Sequence, residues 1–98
     1  MQKNKIYISG KITGLTPDEA KAKFAAAEKQ LIEQGFEVVN PCSIEHNHDN
    51  SWEAFMRNDI KAMMDCTHIY MLDNWNESPG AKIELNLAIR LNYKVTYQ

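Results

Sequence analysis

Cysteine is scarce in this chain of 98 residues. The two present, Cys42 and Cys66, have no metal-type spacing and do not form a disulfide framework pattern. There is no basic block either: lysine and arginine are scattered, and the formal net charge is -2. That balance argues against a nucleic-acid backbone or a membrane surface as the main partner. No apolar run approaches membrane-spanning length. The first residues read as a short strand pattern rather than a signal peptide, so a cytoplasmic location is expected. Internal repeats and low-complexity segments are absent. One domain over residues 1–98 is therefore expected, small enough that a homodimer or higher homo-oligomer would help it. Nothing calls for a cofactor.

What is present is a regular alternation. Residues 5–9 read as a strand, followed by a loop over 10–15 bounded by Gly10 and Gly14. Thr16, Pro17 and Glu19 make a strong helix start, and Gly35 suits its stop. The stripe Ala20, Phe24, Ala27 and Leu31 makes this an ordinary amphipathic helix. Residues 36–39 form a second strand, closed by Asn40 and Pro41. A polar loop reaches Asn50, and a second helix is expected from Ser51 and Trp52 to about Asp65. Residues 67–72 give a third strand, 78–91 a third helix and 93–97 a fourth strand. Strands alternating with helices predict a three-layer α/β fold: a short, mainly parallel four-stranded sheet with helices on both faces, Rossmann-like or flavodoxin-like. Ligands of such folds bind outside the carboxyl ends of the strands. The loops over 10–15, 40–50 and 73–78 fall at that edge.

Two helices carry an acid where an apolar residue belongs. In the third, Ser78 is the expected N-cap and Pro79 the first helical residue. Ala81, Leu85, Leu87, Ala88, Ile89 and Leu91 form its apolar arc, and Glu84 falls inside that arc. A carboxylate there is costly unless compensated. Gly80, one turn earlier, is expected to leave open space in front of it. In the second helix, Asp59 sits in the centre of a face built from Trp52, Phe55, Met56, Ala62, Met63 and Cys66. One such acid is readily a satisfied core residue. Two on consecutive helices favour a shared site, where paired carboxyls push their pKa values apart. Glycosidic-bond cleavage needs such a pair.

The loops offer weaker signals. Ser9, Gly10, Lys11, Ile12 and Gly14 could bring backbone N–H groups to a phosphate or sugar, although any tight strand-to-helix loop favours glycine. Lys11 could add charge, and Ser78 serves equally as a bare cap or an anion contact. Trp75 and Tyr7 are candidates for stacking on a base or, equally, for partial burial at the sheet edge. Cys42, His46, His48 and Asp49 raise a metal question, but no recognisable spacing completes a set. Substrate contact at His48, or plain loop structure, is preferred. His68 reads as structural.

The run from Tyr7 to Gly14, then Asp59, then Ser78-Pro79-Gly80-Ala81-Lys82-Ile83-Glu84, resembles the nucleoside 2-deoxyribosyltransferase-like superfamily. It is most similar to a small bacterial and phage branch of it, and also to the 2′-deoxynucleoside 5′-monophosphate N-glycosidases. The resemblance spans nearly the whole chain. It implies a small-molecule nucleoside or nucleotide as substrate and a homo-oligomeric enzyme without a cofactor. It implies that Glu84 attacks the anomeric carbon and that Asp59 binds the sugar and assists proton transfer. It places Tyr7 and Gly10 by the sugar and base, and Ser78 at the 5′-phosphate. The monophosphate enzymes have arginine where this chain has Thr13 and glycine where it has Lys82. Superfamily members also carry a C-terminal segment that completes the neighbouring subunit's site. With Gln98 directly after the last strand, that contribution is expected to be absent or replaced.

The leading expectation is therefore cleavage or transfer at an N-glycosidic bond. Its rivals are a nucleotide-binding sensor or sink without chemistry, and an interaction domain whose two acids are satisfied in the core.

Overall fold

The computed structural model describes residues 4–98. Within them the order is β1 (Lys5–Ser9), α1 (Pro17–Glu33), β2 (Glu37–Val39), α2 (Trp52–Met63), β3 (His68–Met71), a 3-10 turn (Trp75–Glu77), α3 (Pro79–Arg90) and β4 (Lys94–Tyr97). The strands form one sheet in the order β2-β1-β3-β4, and every pairing is parallel. This is the expected three-layer, Rossmann-like α/β fold. No described helix is long and apolar enough to cross a membrane.

Local chemistry starts each helix. Thr16, Ser51 and Ser78 are the N-caps, accepting from the backbone N–H of Glu19, Ala54 and Ala81. Gly35 leaves α1 with a φ of 95°, a conformation glycine adopts freely.

The two-residue period of β1 then sorts the core. Ile6 and Ile8 face α1, packing with Phe24, Ala27, Leu31, Tyr70 and Leu72. Tyr7 and Ser9 point to the opposite face, where Tyr7 packs with Met63, Ile69, Met71, Ala81, Leu85 and Ala88. One helix thus covers one face, and α2 and α3 cover the other. The chain turns to opposite sides after β1 and after β3, which are neighbours. That reversal opens a crevice at their carboxyl ends.

Two apolar faces are narrower than their periodicity predicts. On α3 only Gly80, Ala81, Glu84, Leu85 and Ala88 are buried, whereas Ile89 and Leu91 are about half exposed (55% and 49%). The helix lies on β3, β4 and β1 along one stripe, and its flank stays exposed at Ile89. On α2 the buried residues are Ala54, Asp59 and Met63. Its C-terminal end reaches the core through Met63, while Trp52 and Phe55 near its start stay partly exposed. Trp52, Phe55 and Met56 of α2 belong to the wall of a cavity.

Candidate active site

Glu84 enters the site from the first half of α3 and is 4% exposed. Its charge is compensated by β1. Ser9 Oγ donates to Oε1 at 2.6 Å and Tyr7 Oη to Oε2 at 2.9 Å. Residues two apart on a strand share a face, so both hydroxyls meet the carboxyl group at once. Burial pushes the Glu84 carboxyl up to about 7; the Ser9 bond opposes this, the nearby Asp59 adds to it, and the Tyr7 bond opposes it. Burial, and then the Glu84 charge, hold the Tyr7 phenol well above its usual range, so it remains a donor.

Asp59 comes from the middle of α2, and burial also raises its carboxyl to about 7. Its Oδ1 is buried and has no hydrogen-bond partner. His46 Nε2 lies 3.9 Å from it. The two acids therefore differ in their surroundings. Glu84 receives two donors that favour the ionised form, and Asp59 Oδ1 receives none. Burial raises both carboxyls to about 7, the two hydroxyls favour the charge on Glu84, and the Asp59 charge opposes it.

Both acids line one cavity of about 390 Å³. Tyr7, Gly10, Ile12, Thr13, Ser78, Gly80 and Ala81 form its sheet-edge and α3 walls, with Phe24 and Pro41 beside them. Asn50, Trp52, Phe55 and Met56 close it from the α2 side. Of the residues expected at the site, Tyr7, Gly10, Ile12, Asp59, Ser78, Gly80 and Glu84 are thus brought together. Ser9 acts one step behind, through its bond to Glu84.

Others lie elsewhere. Lys11 Nζ is drawn 3.2 Å from Glu77, and its backbone N–H donates to Asn74, so it does not line the cavity. Gly14 lies against the Lys11 chain with a φ of 93°. Trp75 packs on the core beneath α3, its ring centroid 6.0 Å from that of Tyr97. His48 stands behind the wall, its ring edge-on to Phe55 with centroids 4.7 Å apart. The space before Glu84 is also not simply left open by Gly80: a Cβ there would come within 2.8 Å of Met56 Sδ. The glycine makes room for a thioether that forms part of the cavity wall. Ser78 Oγ accepts from Ala81 N–H at 3.1 Å, capping α3.

Trp52, Phe55 and Met56 looked like core in the sequence because periodicity reports a face without reporting the gap across from it. One signal was available: the same face carried Asp59, and an acid there calls for space as well as cover. Among the described residues no cluster of three or more histidine, cysteine, aspartate or glutamate side chains is placed to hold a metal ion.

Over residues 4–97 the chain matches the family described as Domain of unknown function (DUF4406), and it belongs to that family. No curated protein matches it.

Proposed function

We propose that this member of the DUF4406 family cleaves or transfers at the N-glycosidic bond of a 2′-deoxynucleoside, as its resemblance to the nucleoside 2-deoxyribosyltransferase-like superfamily implies. The observation that carries the reading is the pairing of unlike acids in one cavity. Glu84 is gripped by Ser9 and Tyr7, and Asp59 keeps a free, buried oxygen.

In this reading Asp59 gives its proton to a ring nitrogen of the departing base as the C1′–N bond breaks. Glu84 forms the C1′–O bond or stabilises the cationic sugar. Water then completes hydrolysis, its proton returning to Asp59, or a second base completes transfer. The hydroxyls of Ser9 and Tyr7 hold the nucleophilic carboxylate against rotation, which keeps its reacting oxygen aimed. Trp52 and Phe55 supply flat apolar walls for a base.

A substrate without a 5′-phosphate is favoured. Among the described residues no lysine, arginine or histidine lines the cavity, and Lys11 is paired with Glu77. A dianion beside two acids would be repelled. Exposed Ile83, Ile89 and Leu91 on α3 are where a second copy of the chain would pack. A reducing cytoplasm suits the free thiols of Cys42 and Cys66.

The test incubates the protein with each deoxynucleoside and its 5′-monophosphate and measures free base by chromatography. Base release from nucleosides that is lost in Glu84→Gln supports the reading. Calorimetric binding with no release, alone or with an acceptor base, would leave the non-catalytic nucleotide-binding module in its place.

A further inference from the structure

The cavity wall has a second layer that the proposed reaction leaves unexplained. His46 and His48 stand ring to ring in the loop before α2, with His46 Nδ1 2.8 Å from His48 Nε2. The other nitrogen of each ring faces a carbonyl oxygen. His46 Nε2 lies 3.2 Å from Pro41 O, and His48 Nδ1 lies 2.6 Å from Asp49 O. A carbonyl only accepts, so each of these contacts needs an N–H on the ring. The bond between the rings needs one more. Three protons on the rings are one more than two neutral imidazoles carry, so one ring is an imidazolium.

Asn58 decides which. Its Nδ2 donates to Glu45 O at 3.1 Å, which fixes the orientation of its amide. The same nitrogen lies 3.1 Å from His46 Nδ1, so that ring nitrogen accepts. The proton between the rings therefore sits on His48 Nε2, and the single lone pair of His46 Nδ1 is shared between that N–H and the Asn58 amide. His48 is the cation, and His46 is neutral with its proton on Nε2. That N–H is 3.9 Å from Asp59 Oδ1, the buried oxygen with no partner.

We propose that His46 and His48 hold one positive charge between them, and that this charge steers the proton of Asp59; the second half rests on the reading of Asp59 as the acid above. When Asp59 loses its proton to the base, its O–H bond breaks and an N–H bond forms on the leaving group. His46 Nε2–H then gives up its hydrogen bond to Pro41 O for one to the new carboxylate, with no further covalent bond broken. The charge on His48, one ring away, offsets the buried negative charge. Proton return from water restores the starting state. His46 and His48 are positioning residues here, because neither lines the cavity.

The surrounding charges are compatible with this assignment. Asp49 lies beside His48, and its carboxyl is held below its usual range chiefly by hydrogen bonding to Ser51, with smaller contributions from His48 and Arg57. Asp59 faces Glu84, Tyr7 and Cys42 on its inner side, and the nearby Asp59 charge raises all three. His48 is the group that acts on Asp59 in the opposite direction. The Phe55 ring, edge-on to His48, separates it from the cavity.

The experiment is a pH titration followed by nuclear magnetic resonance of the whole chain, with ring 15N and carboxyl 13C labels. In the wild type at neutral pH, both ring nitrogens of His48 are expected to carry protons and only Nε2 of His46. Two singly protonated rings would overturn the charge assignment, and no variant is needed to see it. In His48→Gln the Asp59 midpoint is expected to rise from about 7 by about half a unit to one unit. An unchanged or lowered midpoint in the folded variant would overturn the steering. Neither readout needs turnover, so failure of the base-release assay and failure of this proposal are separate results.

Discussion

The hydroxyl of Tyr7 donates to Oε2 of Glu84 at 2.9 Å across a sequence separation of 77. The phenol is fully buried, so the bond has no water to replace it. Removing it in Tyr7→Phe leaves the carboxylate short of a donor, and the Glu84 midpoint is expected to move above 7. The acid limb of a pH–rate profile should move up with it. Above that limb the variant should be less stable by about 1–3 kcal/mol in urea unfolding. Ser9→Ala is expected to act in the same direction on both measurements, because its bond to Oε1 is the shorter one at 2.6 Å.

Asp59→Asn separates the roles of the two acids. The amide cannot give a proton, so base release should fall by about 10²–10⁴-fold. Since the Asp59 charge helps to raise Glu84, its removal should also lower the Glu84 midpoint below 7. A carboxyl 13C titration of Glu84 measures this directly. A Glu84 midpoint that stayed put would show that the two carboxyls are not coupled.

Stability should depend on pH with a sign opposite to that of most carboxylates. Glu84 holds its proton to about 7 in the folded chain but loses it near 4.5 when unfolded. Between those values the native state binds the extra proton, so this contribution falls as pH rises. It is fully present below the unfolded value and gone above about 7. Asp59 adds a second contribution of the same sign. Glu84→Gln should therefore flatten the decline between about pH 5 and 8, and should gain on the order of 2–3 kcal/mol relative to wild type at the alkaline end. Thermal melts across that range would settle the matter; a variant whose curve runs parallel to wild type would refute the burial argument.

Two glycines near the cavity are expected to respond differently to alanine. A Cβ on Gly10 would lie 2.7 Å from Leu72 Cδ1 and 2.8 Å from Leu72 Cβ, in a fully buried side chain. Gly10→Ala should cost about 1–3 kcal/mol of stability through overpacking. At Gly80 the obstacle is Met56 Sδ at 2.8 Å, the flexible part of a long side chain. Gly80→Ala should leave the melting temperature nearly unchanged and push the thioether into the cavity, raising KM. Adding Met56→Ala should restore it.

Much of the fold was legible in local chemistry. Thr16, Ser51 and Ser78 cap their helices through side-chain bonds that depend on residues three positions away. The strand-helix alternation allowed few topologies besides a parallel sheet, since crossovers have one hand. The inward position of Glu84 and Asp59 followed from the helical period alone, because a side chain's face is set by its own helix. What lies across from that face is set by other elements, and periodicity carries no information about them. Only the tertiary structure placed Tyr7 and Ser9 on the Glu84 carboxyl, because β1 lies beside β3 and beneath α3 in the sheet order β2-β1-β3-β4. Only it turned Lys11 to Glu77, filled the space over Gly80 with Met56, and made cavity walls of Trp52 and Phe55. Those outcomes depend on distances between elements far apart in the chain, which are settled when the sheet and its helices pack together.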